Sequence, residues 1–168
     1  MTKISQLSDL GSALSLQDAL PLNTPGDAVT PNKKVTVSGL STYIATRPGF
    51  KDQIGIACSD ETTSLTTGVA KVTLRVPYAM TLTAVRLNVN TAPTGSALVV
   101  NVKLNGTTIF STKPQIDAAT KTSVGSSVTA VLSTTALTDD GELTIDIDQI
   151  GSTVAGKGLK VWLIGTRA

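Results

Sequence analysis

Between Ala97 and Ser111 the chain reads ALVVNVKLNGTTIFS, a run that specifies a β-hairpin with little help from context. Leu98, Val100, Val102 and Leu104 alternate with Val99, Asn101, Lys103 and Asn105, so one face is wholly apolar and the other mostly polar, the pattern of a half-buried strand. Asn105-Gly106 then provides two residues that tolerate φ > 0, the requirement of a type I′ turn, and the chain returns through Thr107 to Phe110.

The same alternation recurs downstream. It predicts strands at Gln53–Ala57, Ala70–Val76, Leu82–Val89, Leu98–Leu104, Thr107–Ser111, Val128–Leu132, Leu143–Gln149 and Leu159–Ile164. Each of these has a core face and a wet face, which indicates two antiparallel sheets packed together. Turn residues fall between them at Pro77-Tyr78, Ala92–Gly95, Asp139-Asp140-Gly141 and Ala155–Gly158, where their backbone preferences are needed. Thr and Ser, at 27 and 15 of 168 residues, favour strands and turns over helices. The expected fold is all-β: an antiparallel two-sheet sandwich of about eight strands over residues 49–168.

Residues 1–48 read differently. Pro21, Pro25-Gly26 and Pro31 break any long element,, so an extended arm is expected, with a short helical turn around Leu14–Ala19. A short strand follows at Lys33–Val37, and Ser38 caps a two-turn helix over Gly39–Ala45 with Leu40, Tyr43 and Ile44 on one side,. That arm is rich in apolar residues but too broken for a core of its own, so Ile4, Leu7, Leu40, Tyr43 and Ile44 are expected to be buried against something else, whether the main domain, a sister chain or a larger assembly.

The net charge is +2 from 14 basic and 12 acidic residues, without a run of like charges, and counterion release therefore has no evident source. Nucleic acid is not an expected partner. One cysteine, Cys58, permits no internal disulfide; no stretch is apolar enough to suggest a membrane span or a cleaved export signal,. These readings favour a soluble protein made in a reducing compartment.

Candidate chemistry is sparse. Gly151–Gly158, GSTVAGKG, satisfies G-x-x-x-x-G-K of a phosphate-binding loop, but Gly158 stands where Ser or Thr must bind Mg²⁺, and a strand pattern follows where a helix is needed,. A tight loop is expected there. The chain has no His, so Ser-His-Asp and Cys-His arrangements cannot be built. Cys58 alone cannot hold a structural zinc. Asp139, Asp140, Glu142, Asp146 and Asp148 cluster in sequence; the choices are a glycosidase-like pair, a Ca²⁺ site, or turn and solvent-face residues, and the third reading is adopted. No catalytic residue, cofactor or metal is expected.

The last strand departs from the alternation. Leu159, Val161 and Leu163 point one way, yet Trp162 and Ile164 make the other face apolar too. Trp162 and Ile164 are therefore candidates for an oligomer interface, the alternative being cover by the N-terminal arm.

Lys3-Ile4-Ser5-Gln6-Leu7, followed after an interval by Lys33-Lys34-Val35-Thr36-Val37-Ser38-Gly39-Leu40-Ser41-Thr42-Tyr43-Ile44, resembles a segment at the start of tailed-bacteriophage fibre-type proteins, which reads K-I-S-x-L and then K-K-V-T-x-S-x-L-x-x-Y-(I/L). The pieces VPYAMTLTAVRLNV, VVNVKLNGTTIFS and GKGLKVWLIGTR look like small jelly-roll domains of phage head-fibre, decoration and tail-fibre proteins. The resemblance implies a non-enzymatic virion protein, made in the host cytoplasm and displayed on the virion surface. It would form a homotrimer and be anchored by its arm to the major capsid protein or another virion protein. Without a stalk, a capsid decoration or short head-fibre is the leading expectation; the alternative is a tail-fibre adhesin recognising host surface glycans. An exposed Tyr or Trp beside polar groups in a groove would favour the adhesin, and convergent buried carboxylates an enzyme.

Overall fold

Nine of the eleven strands between Asp52 and Arg167 build two antiparallel sheets over a shared apolar core in a computed structural model that describes residues 19–22, 33–36 and 51–167. The chain falls into two units, Met1–Phe50 and Lys51–Ala168. In the first, β1 (Ala19–Leu22) pairs antiparallel with β2 (Lys33–Thr36), Ala19 opposite Thr36 and Leu22 opposite Lys33. Pro21 lies within β1; a two-stranded ribbon has only edge strands, where a residue lacking an N–H is tolerated. The strand expected at Lys33–Val37 is thus present, and Ala19, expected to close a helical turn, instead opens a strand. The helix expected at Gly39–Ala45 lies outside the described residues, as do Ile4, Leu7, Leu40, Tyr43 and Ile44.

The second unit runs β3 (Asp52–Ala57), β4 (Gly68–Arg75), β5 (Met80–Asn88), β6 (Leu98–Leu104), β7 (Thr107–Thr108), β8 (Phe110–Thr112), β9 (Gln115–Ile116), β10 (Val131–Leu132), β11 (Ala136–Leu137), β12 (Glu142–Gln149) and β13 (Lys160–Arg167). One sheet has the order β11-β5-β13-β3 and the other β4-β12-β6-β7, with β9 also on β6 and a small β10-β8 ribbon beside them. No helix occurs among the described residues, and none is long and apolar enough to cross a membrane.

The inward sets are those the alternation picks out. Leu98, Val100 and Val102 of β6 meet Leu143, Ile145 and Ile147 of β12 in one sheet, and Leu82 and Leu87 of β5 meet Val161 and Leu163 of β13 in the other; all are at most 2 % exposed. Each such side chain contributes about 1.5–3 kcal/mol by leaving water, so this double layer carries the fold.

The hairpin forms as its sequence demands. Asn105 and Gly106 have φ of 49° and 81°, and Leu104 faces Thr107 across the turn. The returning strand does not run unbroken to Ser111, however. Ile109 buries its side chain completely and gives its N–H to Val102 while its carbonyl receives Ser133 and Thr134, so the chain leaves β7 and restarts as β8 against β10. The strand expected at Val128–Leu132 shrinks to Val131–Leu132, and β13 extends beyond Ile164 to Arg167.

Candidate recognition face around Trp162

Register fixes which side chains share the outer face of the β11-β5-β13-β3 sheet. Trp162 lies opposite Gly55 of β3 on one side and Arg86 of β5 on the other; Lys160 lies between Ala57 and Asn88, and Ile164 between Gln53 and Ala84. Three rows of three residues result, with the single tryptophan of the chain at the centre.

The indole spans those rows. Its six-membered ring rests over Gly55, where a Cβ would come within 2.6 Å of Cζ3, so only glycine leaves the room. At its other end Nε1–H donates to Asn88 Oδ1 at 2.8 Å. A buried or half-buried Trp N–H needs such an acceptor, and here the sheet itself provides it. Trp162 and Ile164, the two residues expected at an oligomer contact, are both half-buried on this face, and the ring orientation is fixed within one chain.

Two hollows flank the ring. Toward β3 a shallow one of ≈460 Å³ is bounded by Gly55, Ala57 and Lys160. Toward β5 a groove of ≈360 Å³ is lined by Gln53, Arg86, Asn88, Thr122, Val124 and Ile164. It adjoins a further ≈260 Å³ under the loop joining β9 to β10, through the shared residues Arg86 and Val124. The groove and this second hollow thus share Arg86 and Val124 as a boundary, with Trp162 lining the groove and Phe110 and Leu132 the second hollow.

Asp117 lies behind the second hollow and holds two of its lining residues, Gln115 and Ser126. Its carboxylate accepts from Ser127 N at 2.6 Å, Ser127 Oγ at 3.0 Å, Ser126 Oγ at 2.9 Å and Gln115 Nε2 at 2.6 Å. The Ser127 N–H and these other donors hold the Asp117 carboxyl below the usual carboxylate range,. Farther along, Ser123 exchanges bonds with the backbone of Leu87 and Thr122 bridges to Asn88. The loop is thereby stitched to β5, and Val124 is left 59 % exposed at the rim.

The other sequence candidates lie elsewhere. Asp139 and Asp140 occupy the turn before β12, with Asp140 at φ 54°. Arg75 reaches the Asp140 carbonyl at 3.0 Å and the Glu142 carboxylate at 3.5 Å. Asp148 pairs with Lys113 at 2.6 Å. Asp146 corrects the solvent-face reading: it is 2 % exposed, bound to Lys103 Nζ at 2.6 Å and to the Ala70 N–H at 2.7 Å. The cause is a bulge where β12 meets β4, which turns Ala70 to φ 48° and points its N–H at the carboxylate,. Burial raises the Asp146 pKa, but the Lys103 hydrogen bond, the Ala70 N–H and the nearby cations outweigh it and leave it lowered. Glu142, Asp146 and Asp148 thus each pair with a different cation, and among the described residues no three metal-ligating side chains converge.

Gly151–Gly158 is a tight loop, as expected: Thr94 bridges Val154, Thr91 bridges Lys157, and β13 follows. Cys58 is buried just past β3, and loss of water pushes its thiol up to about 12.

Comparison of the chain with protein-family models, curated proteins and solved structures finds no match. What the fold and this face define together is an antiparallel β-sandwich with a fixed tryptophan beside a groove of mixed polar and apolar lining.

Proposed function

We propose that this chain is a surface protein of a tailed-phage-type virion, and that its jelly-roll-like sandwich is a recognition module rather than a capsid ornament. The observation that carries this reading is the Trp162 groove. An aromatic ring fixed by Gly55 and Asn88, beside the exposed polar side chains of Gln53, Arg86 and Thr122, offers both an apolar platform and orienting polar groups, the usual make-up of a small-ligand site. Trp162 is half-buried rather than exposed, so the criterion for an adhesin is met in part, and the fixed ring beside these polar groups is what puts the adhesin alternative ahead of the head-decoration one here. The attachment role of the arm and the trimer belong to the same proposal: three copies joined through their N-terminal segments would raise the effective concentration of a weak individual site. Host-surface glycan is the partner in this reading, with another virion protein holding the arm.

Antibodies raised against the full chain test it on intact particles. Labelling at the particle surface together with slowed adsorption to host cells is expected; absence of the protein from purified particles overturns the proposal.

A further inference from the structure

We infer that the groove between Trp162 and the β9–β10 loop takes an acidic saccharide, a sugar ring bearing a carboxylate or phosphate, with Arg86 as its anion partner. The inference rests on the recognition reading above and adds the charge of the ligand to it.

Three features of the groove point that way. Arg86 is exposed at its centre and, like Lys51, Lys71, Lys121 and Lys157, has no carboxylate within ion-pair distance among the described residues, whereas the other described arginines, Arg75 and Arg167, each have one. A planar guanidinium with free N–H groups matches a carboxylate or phosphate in a two-point contact. The hydrogen-bonding capacity is also lopsided. Asn88 spends its Oδ1 on Trp162, and Thr122 Oγ1 accepts the Val124 N–H at 3.1 Å. The Asn88 and Gln53 amide N–H₂ groups and the Arg86 guanidinium have no acceptor among the described residues. The groove presents mainly unused donors, and an acceptor-rich, anionic ligand complements them. Finally, register sets Arg86 directly beside Trp162, so a ring whose C–H face lies on the indole has its substituents within reach of the guanidinium. An extended peptide would instead draw on an open backbone edge, and β5 is already bonded along this stretch to β13 and, at Leu87 to Val89, to residues 121–123.

The test is a titration of the full chain followed by the emission of its single tryptophan. The probes are a galacturonic-acid trisaccharide and a sialic-acid-terminated trisaccharide, each with its neutral counterpart, the methyl ester and the desialylated sugar. The expected result is a Trp162 spectral change with at least one acid, about tenfold or more tighter than with its neutral partner, the size of one charge-assisted contact. Arg86→Gln should erase that preference, bringing the acid down to the affinity of its neutral partner, and added salt should weaken only the acid. Trp162→Ala, followed by calorimetry, should abolish both. Equal binding of acid and neutral sugars overturns the charge assignment and leaves the recognition reading standing. Binding that survives both Trp162→Ala and Arg86→Gln overturns the site. No binding of any probe at millimolar concentration overturns the saccharide assignment, and adsorption blocked by antibody would then keep recognition alive with another class of ligand.

Discussion

Replacing Asp146 by alanine should destabilise the sandwich far more than a residue on the outer face of a sheet ordinarily would. The carboxylate is 2 % exposed and serves two donors, Lys103 Nζ at 2.6 Å and the Ala70 N–H at 2.7 Å. Truncation leaves the N–H at the bulge without its acceptor, worth about 1 kcal/mol, and leaves the ammonium beside an empty site. Lys103 is 29 % exposed and can turn partly to water, so its loss lies below the 3–5 kcal/mol of a fully buried pair, at about 2 kcal/mol. The sum is about 3 kcal/mol, or roughly a 10 °C fall in Tm for a unit of this size. Asp146→Asn keeps the shape and an acceptor for Ala70 and should lose about half as much. Lys103→Met combined with Asp146→Leu should recover part of the loss, because an apolar pair leaves no stranded charge. Urea unfolding of the full chain, followed by Trp162 emission, measures all three. A loss below about 1 kcal/mol for Asp146→Ala would return the residue to solvent and refute the reasoning.

Three further outcomes follow from other parts of the molecule. Gly106→Ala should cost about 1 kcal/mol at the hairpin turn, since φ is 81° and nothing lies within 4 Å of the new Cβ,; an unchanged urea midpoint would mean that the turn relaxes freely. Asp146, Asp117 and Asp60, the last held to about 2 chiefly by the Thr63 N–H, all sit below their ordinary values. Their contribution is therefore complete above about pH 5 and lost as pH falls through their folded pKa values. A urea midpoint that stays level down to about pH 2 contradicts this. Cys58, 8 % exposed and raised to about 12, should react with a disulfide reagent at pH 8 only as fast as the chain opens, and labelling at the rate of a free thiol would refute its burial.

The sheet interior was legible because period-two alternation and turn residues act locally: β6, its Asn105-Gly106 turn, β12 and β13 all follow from their own residues. Ile109 was not, since its break from β7 is imposed by Val102 and Ser133, which are seven and twenty-four positions away. Asp146 misled for a related reason. Alternation assigns it to the wet face, correctly, but its burial comes from a bulge shared with a strand some seventy residues earlier. The candidate face around Trp162 was half visible. Trp162 and Ile164 announce themselves by breaking the alternation, whereas Arg86 and Asn88 look like any wet-face residues of an amphipathic strand. Only strand order, β5 beside β13 beside β3, makes them neighbours of the ring, and Gly55 likewise means nothing until Trp162 lies over it. Asp117 reads as an ordinary loop acid, although the Ser126-Ser127 pair ten residues on is the signal of a side-chain clamp.

The central claim is that the Trp162 face reads a surface on behalf of a particle. Its most direct test compares virions carrying the wild-type chain with virions carrying Trp162→Ala, matched for copies of the protein per particle and for its Tm. Equal incorporation with adsorption to host cells slowed about tenfold or more is the predicted result, and equal incorporation with unchanged adsorption would contradict it.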